Sequence, residues 1–488
     1  MIEKIIYSFT LVAKSPLSFG SLESEIDMDL INTDTKIKVS GNSIGGALRE
    51  YLKGDEADKK EIILAYMGGE EPQSSNNSQQ KDSDDSQSKV KFIESSIYIS
   101  DGKLTFASVK EKEGTSINSE TGTATKHQKY KFKYLPRGTK LTFTIECDVE
   151  SGKPVGKNIE VTFDELVKDW AAGFHKGEIR LGGEKSNGFG LLNVVSLEKK
   201  VFSFNDVKAI EEYIFHREEK QFEKVDLAFL SANNENNSTI AFTLSGSFPY
   251  GVYQAFYDKS LSSKEDKVKV TGLQKEDNQY YIPATSIKGL LRHEVSLLLQ
   301  KISNSKDKVN AKCAELFGDT DQQGRLRFTD VFIENSEQMR IEREAKDSST
   351  LPIYIKIDRL TGGTLNNALK HQNEVFGDAE INIELKDKRP LEYIPYVFPI
   401  VYALRRIGSG KVPIGGRTVI GLGEFHAHKT MINNKGEKKL EIPNLSNSKE
   451  LDEHLVNQPI EYLPDKPDVL QLLEKSFQSF ERWVNDET

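Results

Sequence analysis

The sequence predicts a duplicated α+β module, and three observations predict it. Two glycine-rich runs, LGGEKSNGFG at 181–190 and IGGRTVIGLG at 414–423, share one internal spacing, so that Gly182, Gly183, Gly188 and Gly190 match Gly415, Gly416, Gly421 and Gly423. Two alternating apolar runs, IIYSFTLVAKSP and STIAFTLSGSFP, align Phe9-Thr10-Leu11 with Phe242-Thr243-Leu244 and Pro16 with Pro249 at one offset. Two helix starts, SGNSIGGALREYL and PATSIKGLLRHEVSLLL, set Ser43, Ile44, Gly46 and Arg49 against Ser286, Ile287, Gly289 and Arg292. One glycine-rich loop is an ordinary turn, whereas two at one spacing mark a repeated unit whose backbone approaches something closely.

A chain of 488 residues exceeds one ordinary core, and at roughly 100–200 residues per domain two large domains suit it best. Charged residues at 29% describe a globular protein with an abundant solvated surface. No apolar run approaches the roughly 20 residues that cross a bilayer, so no membrane contact and a cytoplasmic location are expected. Cys147 and Cys313 are the only cysteines, which excludes a disulfide framework and a Cys-based zinc cage and makes both candidates for buried small hydrophobes. The net charge of −9 argues against a uniformly basic nucleic-acid binder. It leaves local basic grooves open, because attraction to phosphate depends on where Lys and Arg cluster.

Each copy opens on a half-buried strand followed by a glycine turn, at Gly20 or Gly251. A variable polar segment follows, 21–38 or 252–281, and leads into the Ser-containing helix, where Asn42/Ser43 and Thr285/Ser286 are the N-cap candidates. Arg49, Lys288 and Arg292 read as lying near helix N-termini. Cations there oppose the macrodipole and make sense if phosphate is bound; solvated charge is the plain alternative. LAYMGGE then answers ELFGDT, and KFIESSIYIS answers RFTDVFIE, which sets Phe92 against Phe328. Between them, residues 71–88 form a low-complexity polar stretch, expected as a disordered surface insertion.

A polar excursion carrying Lys126-His127 or Lys370-His371 returns to an alternating strand, Leu141, Phe143, Ile145 or Ala379, Ile381, Ile383. That pattern predicts a long arm leaving a sheet. Tyr130, Phe132 and Tyr134 in the first arm are either base-stacking aromatics or an ordinary strand face. Helices FDELVKDWAAGF and LEYIPYVFPIVYALRRI precede the glycine runs. The resulting plan is a first domain over 1–200, a helical connector and Asn-rich linker over 201–237, a second domain over 238–428, and an extension over 429–488 whose residues 467–484 form an amphipathic helix.

Nucleotide-loop readings fail on spacing: Gly177-x4-Gly182 is followed by Gly183-Glu184-Lys185-Ser186, which misplaces the lysine, and Gly-x-Gly-x-x-Gly is absent. His426-x-His428 lacks a third ligand at any suggestive spacing, so exposed histidines are expected there.

The order of strand, Ser-x-x-Gly-x-x-Arg helix, Phe-Gly-Asp segment, Thr-Gly arm and terminal glycine-rich loop resembles the repeat-associated mysterious proteins (RAMPs), the ferredoxin-like subunits of CRISPR effector complexes. PATSIKGLLR and the two GG-x4-G-x-G loops carry the resemblance most specifically. The most similar variants are backbone subunits of type III complexes, and this chain resembles two fused in tandem. The resemblance implies two ferredoxin-like (RRM-like) domains, each with a protruding thumb, 115–137 and 351–377. It implies guide RNA, complementary target RNA and other type III effector subunits as partners. Guide contacts would come from Ser43, Arg49, Ser286, Lys288 and Arg292, and from bare amides at Gly182, Gly183, Gly415 and Gly416. The arms at Lys126-His127 and Lys370-His371 would kink the guide–target duplex.

The resemblance further implies a target-cutting aspartate between the first strand and the Ser-containing helix. In the first copy Asp27 fits best, ahead of Asp29, with Asp34 also present. In the second, counting forward from Gly251 favours Asp258, while counting back from Val268-Lys269-Val270 favours Asp266, which is placed ahead. RNA carries its own nucleophile, the 2′-hydroxyl, so cleavage needs alignment, help with a proton, and stabilisation of charge. A carboxylate acts as base or holds Mg²⁺ or another divalent cation. Three departures from the family pattern, Ser40 for Pro, Gly45 for Lys and Ala284 for Gly, make the second copy the closer match. Two alternatives stay open: a non-catalytic guide-binding backbone, and a guide-processing endonuclease, for which His293 follows Arg292 in the second copy alone.

Overall fold

The computed structural model describes residues 2–19, 32–33, 36–53, 57–70, 92–117, 124–155, 159–204, 207–217, 219, 221–230, 239–263, 268–276, 278–319, 321–338, 341–342, 349–350, 352–365, 370–387, 389–434, 438–443 and 467–486. The expected insertion at 71–88 and the Asn-rich linker at 231–237 lie outside them. The chain divides into two compact units, Met1–Lys185 with Phe189–Asn233, and Ser186–Gly188 with Asn234–Thr488.

In the first unit β1 (Ile2–Ala13) is the central strand, because its alternation puts Phe9 and Leu11 wholly inside. It pairs antiparallel with β7 (Lys140–Glu150), Phe9 opposite Phe143, and with β8 (Leu192–Ser203), Phe9 opposite Leu197. Beyond β7 lie β3 (Ile97–Ile99) and β4 (Gly102–Thr105), and beyond β4 lies β2 (Lys36–Val39). Helices α1 (Gly41–Leu52) and α3 (Phe163–His175) cover the sheet. α1 buries Ile44, Leu48 and Leu52 at helical spacing, and α3 brings Phe174 edge-on to Phe9 at 6.4 Å. Thr162 and Glu165 close a capping box that sets where α3 begins. Between the two helices' strands, α2 (Ala57–Met67) follows α1, and β5 (Lys110–Ile117) pairs with β6 (Ala124–Tyr134) as a separate hairpin. α4 (Val207–Phe215) follows β8.

The second unit repeats the plan. β9 (Thr239–Val252) is central, with Phe242 opposite Ile383 of β17 and Ile432 of β18; the intervening strands are β10 (Phe256–Ser263), β11 (Val268–Gly272), β12 (Gln279–Ile282), β13 (Leu326–Phe328), β14 (Val331–Gln338), β15 (Ile353–Tyr354), β16 (Lys370–Asn373), then β17 (Val375–Lys386) and β18 (His426–Asn434). The helices are α5 (Ala284–Ile302), α6 (Lys306–Phe317) and α7 (Val397–Gly408). In both units the fourth core strand lies beside the first, the first beside the third and the third beside the second, in βαββαβ order. That arrangement is ferredoxin-like.

Three local expectations change. The helix predicted over LEYIPYVFPIVYALRRI is a single turn at Leu391–Tyr393 followed by α7. The second arm is no simple hairpin: β10 and β11, from the variable segment, join β16 and β15 in one four-stranded sheet. The C-terminal helix α8 (Pro467–Asn485) is part of the second core, with Phe480 and Val484 buried, Trp483 Nε1 donating to Glu315 Oε2 at 2.9 Å, and Asp486 paired with Lys308 and Lys312. Its amphipathic stripe is therefore consumed inside the unit.

Both cysteines are free and buried, and burial pushes the Cys147 thiol up to about 12. No helix among the described residues is long and apolar enough to cross a membrane. Phe480→Ala removes a fully buried ring and should cost the second unit about 3–5 kcal/mol. Urea titration of the variant checks this, and an unchanged midpoint would show that α8 does not hold that core.

Candidate nucleic-acid interface

Each glycine run closes on the residues that follow the first strand. Gly183 N donates to Ser18 O at 2.7 Å and Gly190 N to Pro16 O at 2.9 Å, while Gly416 N donates to Tyr253 O at 2.7 Å and Gly423 N to Gly251 O at 2.8 Å. Backbones this close exclude a side chain. A Cβ on Gly182 would stand 2.3 Å from Ser18 O, and one on Gly415 2.5 Å from Tyr253 O; both glycines also hold positive φ. Gly183 and Gly416 are roomier, their nearest neighbours being 3.9 and 3.5 Å from such a Cβ.

This changes the reading of the Gly183 and Gly416 amides, which were expected to face phosphate. The amides of Gly183 and Gly416 are spent on the protein's own carbonyls rather than presented to phosphate, and Gly182 and Gly415 are there for the close approach. The same bonds correct the repeat register: Pro16 and Ser18 stand where Gly251 and Tyr253 stand, so Gly251 is not the counterpart of Gly20. The count that favoured Asp258 loses its anchor.

The Ser-containing helices start earlier than their serines. Ser40 caps α1, its Oγ accepting from Ser43 N, and Pro283 takes the N-cap position of α5 without a side-chain bond. In both units a carboxylate completes the cap: Gly41 N donates to Asp101 Oδ1 at 3.0 Å and Ala284 N to Asp330 Oδ1 at 2.7 Å. An acid is what the positive end of a helix favours, and here the protein supplies it. Ser43 Oγ lies 2.9 Å from Ser40 Oγ, and Ser286 Oγ accepts from Gln254 Nε2 at 3.0 Å. With Asp101 equivalent to Asp330, the counterpart of Phe328 is Ile99. Phe92 is 70% exposed where Phe328 is wholly buried, so that pairing is withdrawn.

Arg49 and Arg292 also depart from expectation. Arg49 lies in the last turn of α1, not near its start, and its Nη2 donates to Met67 O and to Gly68 O, the latter at 2.8 Å. Arg292 Nη1 donates to Gly318 O at 3.1 Å. Each guanidinium therefore closes the C-terminal end of the next helix, where carbonyls lack partners and the dipole favours a cation. Lys288 is half-buried, and its Nζ donates to Ser186 Oγ at 3.0 Å within the second unit.

In the first arm, Phe132 and Tyr134 pack on Phe189 of the glycine run at 5.6 and 5.9 Å, with Lys112 Nζ 5.3 Å above the Phe189 ring. Both aromatic residues are buried, so they anchor the hairpin and are not open to a base. Lys126, His127 and Tyr130 lie in β6, their side chains outside the described residues. In the second arm, His371 is half-buried and pairs with Val270 and Ile353, while Lys370 pairs with Tyr354, its side chain outside the described residues. Asp258 lies in β10 opposite Val270. Asp27, Asp29, Asp34 and Asp266 lie outside the described residues. His426 is half-buried rather than exposed, 3.4 Å from Glu424 Oε2. The capping acids Asp101 and Asp330 escaped sequence reasoning, although each follows a strand's last apolar residue by two places.

Gly182→Ala and Gly415→Ala should each cost about 2 kcal/mol or more, and Gly183→Ala and Gly416→Ala less than about 1 kcal/mol. Chemical denaturation of the four variants reads the difference. Equal losses at the two glycines of a pair would mean that close approach is not why they are there.

The described residues hold no group of three or more His, Cys, Asp or Glu able to share a metal ion. A search of curated proteins finds no match. Residues 10–193 and 251–426 match the RAMP superfamily, one match on each ferredoxin-like repeat and together most of the chain. The two sheets, their arms and their glycine clasps are thus those of two CRISPR-associated, RNA-binding modules in tandem, and the chain belongs to the RAMP superfamily.

Proposed function

We propose that this chain forms two adjacent backbone units of a type III CRISPR effector complex, holds guide RNA, and cuts complementary target RNA with one loop aspartate per module. One observation carries the reading: in both units the arm and the variable segment spring from the same place, the end of the first strand. Leu17 pairs with Leu135 in the first unit, and Val252 with Val375 in the second. That shared origin supports the reading that an acid borne on the segment works beside an arm that would displace a target nucleotide.

Asp27 and Asp266 are the proposed cutting residues. The 2′-oxygen attacks the adjacent phosphorus to form a 2′,3′-cyclic phosphate, the P–O5′ bond breaks, and O5′ leaves as a hydroxyl with a proton from water; the aspartate would take the 2′-hydroxyl proton or help hold a divalent cation such as Mg²⁺. The ion would supply charge stabilisation at the phosphate. Lys288, Lys126-His127 and Lys370-His371 are the proposed RNA contacts; Arg49 and Arg292 are left out because their guanidinium groups close helix ends.

The test is reconstitution with guide and labelled target RNA. Asp27→Ala and Asp266→Ala should each remove one cleavage product, and the double variant should lower cleavage at least about 100-fold while target binding persists. Chelation of divalent ions should do the same. Undiminished cutting by the double variant would sink the nuclease reading as sited at Asp27 and Asp266.

A further inference from the structure

A groove that is open in the second unit has a filled counterpart in the first. After the last core helix both units make the same turn: Gly177 N donates to Phe174 O and Gly410 N to Ile407 O, each at 3.0 Å, while Glu178 N donates to Gly173 O and Lys411 N to Arg406 O. Gly173 and Arg406 are therefore equivalent. Arg49 and Arg292, which both close the following helix, make Tyr51 the equivalent of Glu294. In the first unit Tyr51 lies against Gly173, where a Cβ would stand 2.9 Å from its Cζ, and Tyr51 Oη donates to Asp169 Oδ1 at 3.0 Å. An aromatic ring thus fills the seam between α1 and α3.

The second unit replaces that ring with an ion pair, Arg406 Nε donating to Glu294 Oε2 at 2.7 Å, and sets Tyr402 where the first has Asp169. α1 ends at Leu52, the equivalent of Val295, whereas α5 runs on to Ile302. A groove of about 260 Å³ is left between α5 and α7, with an apolar wall of Leu297, Leu298 and Tyr402. Its charges are Glu294, buried and engaged by Arg406, and two cations, Arg406 and Lys301. Lys301 is exposed, and among the described residues no ion pair takes it. The groove is therefore apolar in its wall and net positive at its edge.

Such a slot suits an amphipathic helix that carries an acid beside its apolar stripe. The chain has one. α4 turns Tyr213 onto Phe202 and Phe204, with ring centres 5.2 and 5.5 Å apart, and leaves Val207, Ile210 and Ile214 outward at helical spacing, Val207 79% and Ile214 60% exposed. Glu211, four residues from Val207 and three from Ile214, is exposed beside them.

We propose that α4 of one copy of this chain docks in the α5–α7 groove of another, with Val207, Ile210 and Ile214 on the apolar wall and Glu211 against Lys301 and Arg406. The contact joins two different surfaces, so it is heterologous: each added copy brings a further helix and a further groove, and copies join head to tail. In the first unit Tyr51 occupies the equivalent place, which makes the second unit the receiving one. One short helix in one groove is a small interface, so the association is weak, with a dissociation constant of about 100 µM.

Full-length protein without RNA is followed by sedimentation velocity over a concentration series reaching about 500 µM. The weight-average mass should rise past that of two chains and fall as salt is added. Ile214→Ser, Glu211→Lys and Lys301→Glu each alter an exposed side chain, so their urea midpoints should match the parent's, and each should weaken association about tenfold. Mixing Glu211→Lys with Lys301→Glu should restore it, because every helix then meets a groove of opposite charge. A single-chain mass throughout the series would overturn the proposal. So would association that Ile214→Ser leaves unchanged, or a mixture of the two charge variants that stays as dissociated as either alone.

Discussion

The clasp between each glycine run and the residues just after the first strand is the constraint on which the functional parts depend. Its bonds of 2.7–2.9 Å join segments far apart in the chain, and they form only where no Cβ intervenes. Because β1 and β9 are the central strands, tying down their ends fixes where the chain leaves for the Ser-containing helix. The arm returns at the same point, through Leu135 or Val375. A loop that looks built to touch a ligand donates, in both copies, to the protein's own backbone.

The same economy governs the Ser-containing helices. A helix start is a ready anion site, but Asp101 and Asp330 already occupy it; a cation beside it suggests phosphate, but Arg49 and Arg292 are directed to the carbonyls ending the following helix. Each charge complements a helix dipole, and a buried carbonyl left unbonded would cost on the order of 1–3 kcal/mol. Glu184 and Arg417 share a left-handed backbone conformation at the same place in the two runs and differ in charge.

Much of the fold was legible in the residues. The alternation of Phe9 and Leu11, or of Leu141, Phe143 and Ile145, reports burial directly, since successive strand residues face opposite sides. The C-terminal helix was legible as amphipathic, yet nothing local could say that Phe480 and Val484 complete the second core. The pairing of Phe92 with Phe328 failed because two short apolar strands look alike in sequence, and only the shared bond from a helix N-terminus to Asp101 or Asp330 shows which is which. Phe132 and Tyr134 alternate as a strand face does, and Phe189, the partner that buries them, comes from the distant glycine run.

By itself the sequence determined the duplication, the strands and helices of each copy, and the superfamily those imply, because periodicity and repeated spacing are local properties of the chain. Tertiary structure decided what the special residues are for. Whether a glycine amide meets a carbonyl of the chain, and whether an arginine closes a helix end, depends on which distant backbone lies within about 3 Å. That is settled only when the sheet, the arm and the clasp are assembled together.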